Sequence, residues 1–382
     1  MMRLVPNLGG EEGPRWRELV GEPAVRAQRR LWRLLFAADT ECLDLDESAP
    51  RWPGASASEE PIFPWLAEAG CVLAWINTED AECAASGADL PLAGPSADIV
   101  ASVHDKAFAH DVADSEGMIP PVLRGCIETL SPDALRAADA ADAIEARLAR
   151  WPEWARERFT LKPRLGGSGR GRIAGESGRL DRTRLGRGLE RLAARGGAML
   201  EPWLERTADL SVQLHLGGDA GVTVLGSLEQ FVSPSGVFLG HGGELDSRGR
   251  VFSGHAEEER LREAAALVGV AARERGYLGP CGVDAFEFRD VETDGLTLRP
   301  VVEFNARFTA GTVTVGLVRR ALPELKQELG LAPGERMYFR FWLALPPEER
   351  AGAEARAADS GRLLLFDASD APPALLFSRT AP

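Results

Sequence analysis

The sequence predicts an α/β unit in the first hundred residues and a strand-rich α+β region after about residue 155. Residues 71–93 alternate apolar runs with a helical pattern, and short β-rich segments bounded by Gly or Pro occupy 159–232. Residues 282–305 have the pattern of a hairpin. Alternating strands and helices are typical of α/β folds, whereas grouped strands are typical of α+β folds.

The sequence of the first half of the chain predicts strands and helices that alternate. Residues 71–76 and 90–93 are apolar runs typical of strands, and Thr78 caps a helical pattern between them. Residues 97–116 predict one long helix that carries Lys106 and ends before the glycine at 117. Ser131 followed by proline predicts the start of another helix, which runs to about residue 150.

The second half predicts mainly strands. Short β-rich segments bounded by Gly or Pro occur at 159–162, 198–201, 210–216, 222–225 and 231–232. The hairpin comprises strands at 282–289 and 298–305, joined by a turn that contains Asp294. Residues 331–382 alternate apolar and Pro/Ala-rich pieces, and their pattern predicts no function.

Two helices in the second half show an apolar stripe on one face, which predicts the side that each helix buries. The helix at 181–195 has its stripe at Leu185, Leu189 and Leu192. The stripe of the helix at 257–275 consists of Leu261, Ala265, Val268 and Ala272.

Composition excludes several classes of protein. A chain of 382 residues that is 45% apolar can bury a large core, and its five cysteines lack the spacing of a disulfide framework or a zinc site. Without a long apolar run or a secretion signal, we expect a cytoplasmic protein with no membrane partner. The net charge of −14 disfavours nucleic acid. The Arg-rich segment 164–195 lacks the aromatic residues that stack on bases, so an RNA partner there is a weaker alternative.

Lysine is rare in this chain, which has three lysines among 44 basic residues. Lys106 lies in a predicted helix, and Lys162 ends a predicted strand. Lysine presents a compact ammonium where arginine presents a planar fork, so these two positions favour contact with phosphate oxygens. The alternative is that the few lysines of the chain fall at these two positions by chance.

A glycine-rich loop follows Lys162. Residues 166–171 offer closely spaced backbone N–H groups, and Gly167, Ser168 and Gly169 leave little side-chain obstruction over a bound anion. The loop lacks the Gly-Lys-Ser/Thr ending of a P-loop and does not open a helix as a dinucleotide-binding loop does. The pattern therefore favours a loop that closes over phosphates and argues against those two nucleotide folds.

The hairpin carries oxygen-bearing side chains. Glu303 and Asn305 are two residues apart on one strand and project to the same side, and Asp284 lies on the neighbouring strand. Two carboxylates with a carboxamide suit Mg²⁺, which takes few protein ligands in addition to substrate phosphates. Arg307 offers a bidentate donor nearby. The alternative for the three oxygen-bearing side chains is an acidic edge on a solvated hairpin. The alternative for Arg307 is an ordinary salt bridge.

The ordered motifs resemble those of the ATP-grasp superfamily of carboxylate-amine ligases. The match runs from about residue 90 to 314 and comprises these motifs: Asp105-Lys106, Leu161-Lys162-Pro163 with its glycine-rich loop, Met199 to Leu204, Val283-Asp284, and Glu303 to Arg307. The resemblance implies an α/β domain at 1–104 and an ATP-grasp domain at 105–330. Nucleotide would bind between two α+β subdomains, with a flap at about 155–206, and residues 331–382 are not covered.

The resemblance also implies roles for single residues. Lys106 and Lys162 would hold the α- and β-phosphates of ATP under the loop that contains Gly167, Ser168 and Gly169. The segment from Glu201 through Trp203 to Leu204 would read adenine, and Asp209 would contact ribose in place of the more usual Glu. Asp284, Glu303 and Asn305 would bind Mg²⁺, and Arg307 would steady the acyl phosphate. Arg307 and Lys162 would be the catalytic residues.

The implied reaction joins a small-molecule carboxylate to an amine, with ADP as a product. Such chemistry needs aligned cations rather than a nucleophilic side chain, and the five histidines show no triad or metal spacing. An ATP-grasp kinase or carboxylase is one alternative, and a nucleotide-binding regulatory protein without turnover is another. The substrates are not identified by the sequence, and a homodimer is the default expectation.

Overall fold

The computed structural model describes residues 2–37, 40–43, 51–54, 61–67, 70–167, 171–177, 182–219, 221–233 and 236–380. The N-terminal unit contains a parallel three-stranded sheet in the order β2-β1-β3. Its elements are β1 (Arg3–Val5), α1 (Trp16–Leu19), α2 (Pro23–Arg33), β2 (Glu41–Cys42), β3 (Val72–Ala74), α3 (Glu79–Gly87) and α4 (Ala97–His104).

A four-stranded antiparallel sheet in the order β4-β7-β5-β6 forms the second unit. The predicted stripe at Leu185, Leu189 and Leu192 is confirmed, since all three side chains are buried in the core beside this sheet. The elements are α5 (Lys106–Ser115), β4 (Glu128–Leu130), α6 (Pro132–Arg136), α7 (Ala140–Leu148), α8 (Glu153–Glu157), β5 (Arg158–Pro163), β6 (Ile173–Glu176), α9 (Arg182–Ala193) and β7 (Ala198–Pro202).

Nine strands of the described chain form a mainly antiparallel sheet in the order β13-β12-β8-β9-β11-β10-β14-β16-β15. The predicted stripe from Leu261 to Ala272 is confirmed, because its four side chains are fully buried. The elements are β8 (Arg206–Leu216), β9 (Val222–Val232), β10 (Phe238–Asp246), β11 (Val251–Phe252), α10 (Glu258–Glu274), β12 (Gly279–Arg289), β13 (Leu296–Asn305), α11 (Ala310–Glu328), β14 (Arg336–Trp342), α12 (Pro347–Ser360), β15 (Gly361–Leu365) and β16 (Ala374–Ser378).

Two predicted helices and three predicted strands differ from the structure. The predicted helix at 97–116 is two helices, because Asp105 has an extended ψ of 126° between α4 and α5. The helix predicted from Ser131 to about residue 150 is likewise divided, into α6 and α7. The strands predicted at 222–225 and 231–232 are one continuous strand, β9. The strand predicted at 90–93 is reduced to one bridge, between Val72 and Leu92.

Residues 331–382 extend the large sheet. β14 pairs antiparallel with β10, and β16 and β15 complete that edge. Close approach of β14 requires glycine in β10, since a Cβ at Gly240 would lie 1.9 Å from the Phe341 carbonyl oxygen. In the part of the chain that the structure describes, no helix combines the length and apolar character needed to cross a membrane.

Candidate functional site

A cleft of about 510 Å³ lies where the two larger sheets face the N-terminal unit. A second cavity of about 270 Å³ shares Lys162, Arg172, Arg206 and Asp209 with the cleft. The sequence-predicted residues that line the cleft are Lys106, Lys162, Gly167, Asp209, Asp284, Glu303, Asn305 and Arg307. Three other sequence-predicted residues line the second cavity, namely Glu201, Trp203 and Leu204.

The break between α4 and α5 positions Lys106. Asp105 caps α5 by accepting a hydrogen bond from the Ala107 N–H at 2.9 Å, and its carboxylate also pairs with Arg164. Lys106 is therefore the first residue of α5, and its Nζ donates to the Gly166 carbonyl at 2.7 Å. The same Nζ lies 3.2 Å from Glu303 Oε1. A helix start, the glycine-rich loop and the hairpin thus meet at one ammonium.

Replacing Asp105 with alanine should reveal how much this break depends on its carboxylate. We expect the free energy of unfolding to fall by about 2 kcal/mol, because an N-cap contributes about 1 kcal/mol and a charged hydrogen bond contributes a similar amount. Denaturant unfolding followed by circular dichroism measures the loss. Asp98→Ala, at an exposed position in the first turn of α4, is the control. Equal losses in both variants would show that the cap has no special role.

Lys162 lies in a buried ion network formed by strands β5, β7 and β13. Its ammonium contacts Glu201, whose other carboxylate oxygen accepts from Arg299 at 2.9 Å. Burial lowers the pKa of Lys162 to about 8, against the opposing effect of Glu201. Although burial favours the neutral acid, the charges of Lys162 and Arg299 hold the pKa of Glu201 well below its usual range. Glu201 therefore stays ionised.

The two strands of the hairpin place the predicted metal ligands side by side. Asp284 and Glu303 are directly opposite each other, and Asn305 Nδ2 donates to Asp284 Oδ2 at 3.0 Å. Gln230 Nε2 donates to Asp284 Oδ1 at 2.9 Å. Burial and the neighbouring Glu303 carboxylate raise the pKa of Asp284 to about 6. The carboxylates of Asp284 and Glu303 thus concentrate negative charge at a buried position.

These side chains fit a hard divalent cation. No group of three or more His, Cys, Asp and Glu side chains suited to a metal occurs among the described residues. A cation here would therefore use Asp284, Glu303 and Asn305 together with oxygens of a ligand, which is the usual coordination of Mg²⁺. Asn305 would present its amide oxygen to the cation after its carboxamide rotates by a half turn.

Arg307 follows the end of β13 in a turn that hydrogen bonds to Asn305 and His104 hold in place. Its N–H donates to the Asn305 carbonyl at 2.9 Å, and the Ala306 N–H donates to His104 Nδ1 at 3.2 Å. The guanidinium donates to the Phe308 carbonyl at 3.0 Å through Nη1, while Nη2 lies 3.4 Å from Glu11 Oε1. Burial, with the charges of Arg307 and Lys106, lowers the pKa of His104, which is thus neutral.

Aromatic rings and arginines line the second cavity. The guanidinium of Arg172 lies 4.6 Å from the ring centre of Trp203, and the guanidinium of Arg158 lies 5.3 Å from it. Asp209 pairs with Arg206 at 2.6 Å, and Arg206 in turn lies over Phe286. Flat apolar surface beside charged donors suits a planar ring that carries an anionic group.

The structure brings most of the predicted site together and adds residues that sequence reasoning missed. Ser168 and Gly169 lie outside the described residues. Arg172 falls in the Arg-rich segment 164–195 and received no role of its own from the sequence, although its position just after the glycine-rich loop could have indicated one. Glu11 was missed entirely, and the Gly-Gly-Glu-Glu sequence after the first strand was its available signal.

Comparison with known proteins shows a shared fold. No protein-family model matches the sequence, and neither does any curated protein. The N5-carboxyaminoimidazole ribonucleotide synthetase of Thermus thermophilus is 16% identical with a TM-score of 0.52, and the match covers 100% of this chain and 94% of that one. The corresponding synthase of Aspergillus clavatus, solved with ADP and an aminoimidazole ribonucleotide, is 16% identical with a TM-score of 0.51 and the same coverages.

A third solved structure is the biotin carboxylase domain dimer of the Hydrogenobacter thermophilus 2-oxoglutarate carboxylase, which holds MgADP, ADP and bicarbonate. It is 15% identical with a TM-score of 0.51, and the match covers 99% of this chain and 85% of that one. These enzymes have the ATP-grasp fold. The likeness spans the whole described chain, so it confirms the mixed α/β and α+β fold class that the sequence predicted.

Proposed function

Because the chain has the ATP-grasp fold, we propose that it is an ATP-dependent ligase that activates a carboxylate as an acyl phosphate and joins it to an amine. One observation carries the proposal. The ammonium groups of Lys106 and Lys162 line a single cleft with the oxygens of Asp284, Glu303 and Asn305, although these residues are up to about 200 positions apart in the sequence. A metal-bound triphosphate requires cations beside its phosphate oxygens and protein oxygens that hold the metal, and the cleft contains both.

ATP would lie along both cavities. The second cavity, with Trp203 and Leu204, would take the adenine, and Asp209 would contact the ribose. Lys106, Lys162 and Arg172 would then face the phosphates, because all three line the adjoining cleft. The phosphate oxygens would replace Glu201 and Glu303 as the nearest anions to the two ammonium groups.

Mg²⁺ would be held by Asp284, Glu303 and Asn305, and when bound it supplies positive charge against the phosphate oxygens. In the proposed reaction a carboxylate oxygen attacks the γ-phosphorus and ADP leaves. The amine nitrogen then attacks the acyl carbon, a C–N bond forms, and inorganic phosphate leaves with the electron pair. Arg307 would stabilise the negative charge of the acyl phosphate through its guanidinium. The loop over Gly167 would exclude water from an intermediate that hydrolyses readily.

The test is the stoichiometry of nucleotide products. We expect ADP and phosphate to be released only when a carboxylate and an amine are both present, in a screen over carboxylate and amine pairs. Bicarbonate belongs among the carboxylates, so that a carboxylase on the same scaffold is detected in the same screen. AMP as the product would refute the proposal, and ATP binding without turnover for any pair would favour a regulatory role.

Nucleotide affinity should fall as pH rises through 8. In the ligand-free protein the pKa of Lys162 is about 8, so the ammonium that faces the phosphates is lost above that pH. Between pH 7 and 9 the dissociation constant of a non-hydrolysable ATP analogue should rise about tenfold, since about nine-tenths of the lysines are neutral at the upper limit. Calorimetry at the two pH values measures the change. In Lys162→Arg the cation persists, so a similar tenfold rise there would contradict this assignment.

A further inference from the structure

The wall of the cleft that the N-terminal unit contributes differs in charge from the opposite wall. We call it the N-terminal wall, and it consists of Leu8, Glu11, Glu22, Val25, Gln28 and Trp75. It carries two carboxylates and, among the described lining residues, no lysine or arginine. The rest of the lining carries the cations Lys106, Lys162, Arg172, Arg206 and Arg307 together with the carboxylates of Asp209, Asp284 and Glu303. The lysines and arginines of the described lining thus all lie outside the N-terminal wall, which offers carboxylates alone as charged groups.

Glu11 lies at the centre of this arrangement. Its side chain is 6% exposed, and Oε1 is 3.4 Å from Arg307 Nη2. The other oxygen, Oε2, is buried without a hydrogen-bond partner. A buried carboxylate oxygen that lacks a donor is unfavourable, so a ligand that donates there gains binding energy.

Glu11 is also close to the place where the acyl group would react. A Cβ on Gly167 would meet Glu11 Oε1 at 2.6 Å and Arg307 Nη2 at 3.1 Å, so the glycine-rich loop lies directly on both side chains. The Gly167 N–H itself donates to Glu12 at 3.3 Å, and Glu12 pairs with Arg195 at 2.8 Å. The start of the glycine-rich loop, at Gly167, is thus held against the carboxylates of the N-terminal unit.

We propose that Glu11 binds the ammonium group of the acceptor amine, and that the acceptor is a cationic amine with an apolar substituent. This inference rests on the proposed ligase function. Because Glu11 Oε1 lies 3.4 Å from Arg307 Nη2, an ammonium bound by the Glu11 carboxylate would lie close to an acyl phosphate held at Arg307. Leu8, Val25 and Trp75 would contact the apolar part. An amine that carries a phosphate would bring that anion close to the buried Glu11 carboxylate, and repulsion between the like charges disfavours it.

The proton balance assigns Glu11 a further step. The ammonium gives one proton to Glu11 Oε2, and the neutral nitrogen then attacks the acyl carbon. As the C–N bond forms, the bond from carbon to the phosphate oxygen breaks and phosphate leaves with the electron pair. The remaining surplus proton on nitrogen and the proton on Glu11 pass to solvent when the products leave. Glu11 would therefore bind the amine and also accept a proton from it.

The test compares two acceptors that differ in charge at about pH 7. L-Leucinamide is a cationic amine without a carboxylate, and hydroxylamine is an uncharged nucleophile that captures acyl phosphates as hydroxamates. The donors are a pool of N-acetyl amino acids and of fatty acids from acetate to palmitate. For the full chain, we expect L-leucinamide to support ADP release and the anionic amine O-phosphoethanolamine to support none.

Glu11→Gln should raise the ratio of hydroxamate to leucinamide product at least about tenfold, because the variant loses the ammonium partner and the proton acceptor. Glu11→Asp should partly restore the ratio, and Glu18→Gln, at an exposed position on α1, should leave it unchanged. An equal fall of both products in Glu11→Gln would show a structural role only and overturn the inference. Efficient use of O-phosphoethanolamine would overturn it too. If the unmodified chain forms neither hydroxamate nor amide, the ligase function itself fails.

Discussion

Lys162→Ala is expected to lower ADP release by about a hundredfold to a thousandfold, which is the usual loss when one preorganised donor to a reacting phosphate or oxyanion is removed. Lys162 is one of two ammonium groups in the cleft, and its side chain is 14% exposed. Initial rates of ADP release, with a donor and acceptor pair found in the product screen, measure the effect.

Two further lysine variants make this prediction specific. Lys326→Ala removes an exposed lysine from α11 and should leave the rate within about twofold of the original. Lys162→Arg keeps the charge but replaces a compact ammonium with a planar fork, so a substantial loss is expected there too. Thermal unfolding is followed in parallel, because Glu201 loses one of its two cationic partners in Lys162→Ala. Full activity in a folded Lys162→Ala would contradict its contact with phosphate.

Glu303→Ala is the second substitution for which we expect a large loss of activity. It removes one of the two carboxylates proposed to hold Mg²⁺ and the anion that pairs with Lys106 at 3.2 Å. We expect ADP release to fall by at least about a hundredfold and the Mg²⁺ concentration for half-maximal rate to rise at least about tenfold. Titration of the rate with Mg²⁺ at saturating ATP measures both changes.

The matched control for this variant is Glu292→Ala. Glu292 is exposed at the turn between β12 and β13, so its removal takes the same charge from the same hairpin outside the cleft. Its Mg²⁺ dependence should equal that of the unmodified chain. If Glu303→Ala showed the same Mg²⁺ dependence as this control, the proposed metal ligands would be wrong.

The parts of the site that local sequence could predict are those fixed by local geometry. Glu303 and Asn305 share a side of their strand because side chains alternate along it, and a glycine-rich loop after a strand is recognisable from composition alone. The buried stripes of α9 and α10 follow from helical periodicity in the same way. Each of these features depends on neighbours within a few residues.

The break at Asp105 could not be predicted in this way. Residues 97–116 carry a continuous helical pattern, and the break depends on contacts with Arg164, which follows β5 about sixty residues later. The Lys106 N–H donates to the Arg164 carbonyl at 3.1 Å, and the Arg164 guanidinium pairs with Asp105. Tertiary hydrogen bonds thus replace those that an uninterrupted helix would have made, and they turn Lys106 toward the cleft.

The same limit applies to β10 and to Glu11. Glycine is a weak strand former, yet Gly240 and Gly243 in β10 are needed because β14 and Phe252 approach the backbone closely. Glu11 gains its position only when the N-terminal unit meets the hairpin that carries Arg307. A residue whose role depends on the meeting of distant elements leaves no periodic signal in the sequence.

The most direct test of the central claim is a crystal structure of the full chain with Mn²⁺ in place of Mg²⁺ and a non-hydrolysable ATP analogue. The anomalous signal of Mn²⁺ locates the metal independently of the protein. We predict the metal at about 2.2 Å from oxygens of Asp284, Glu303 and Asn305, and Nζ of Lys106 and Lys162 within hydrogen-bond distance of phosphate oxygens. A triphosphate bound elsewhere, or a metal peak remote from the hairpin, would contradict the account.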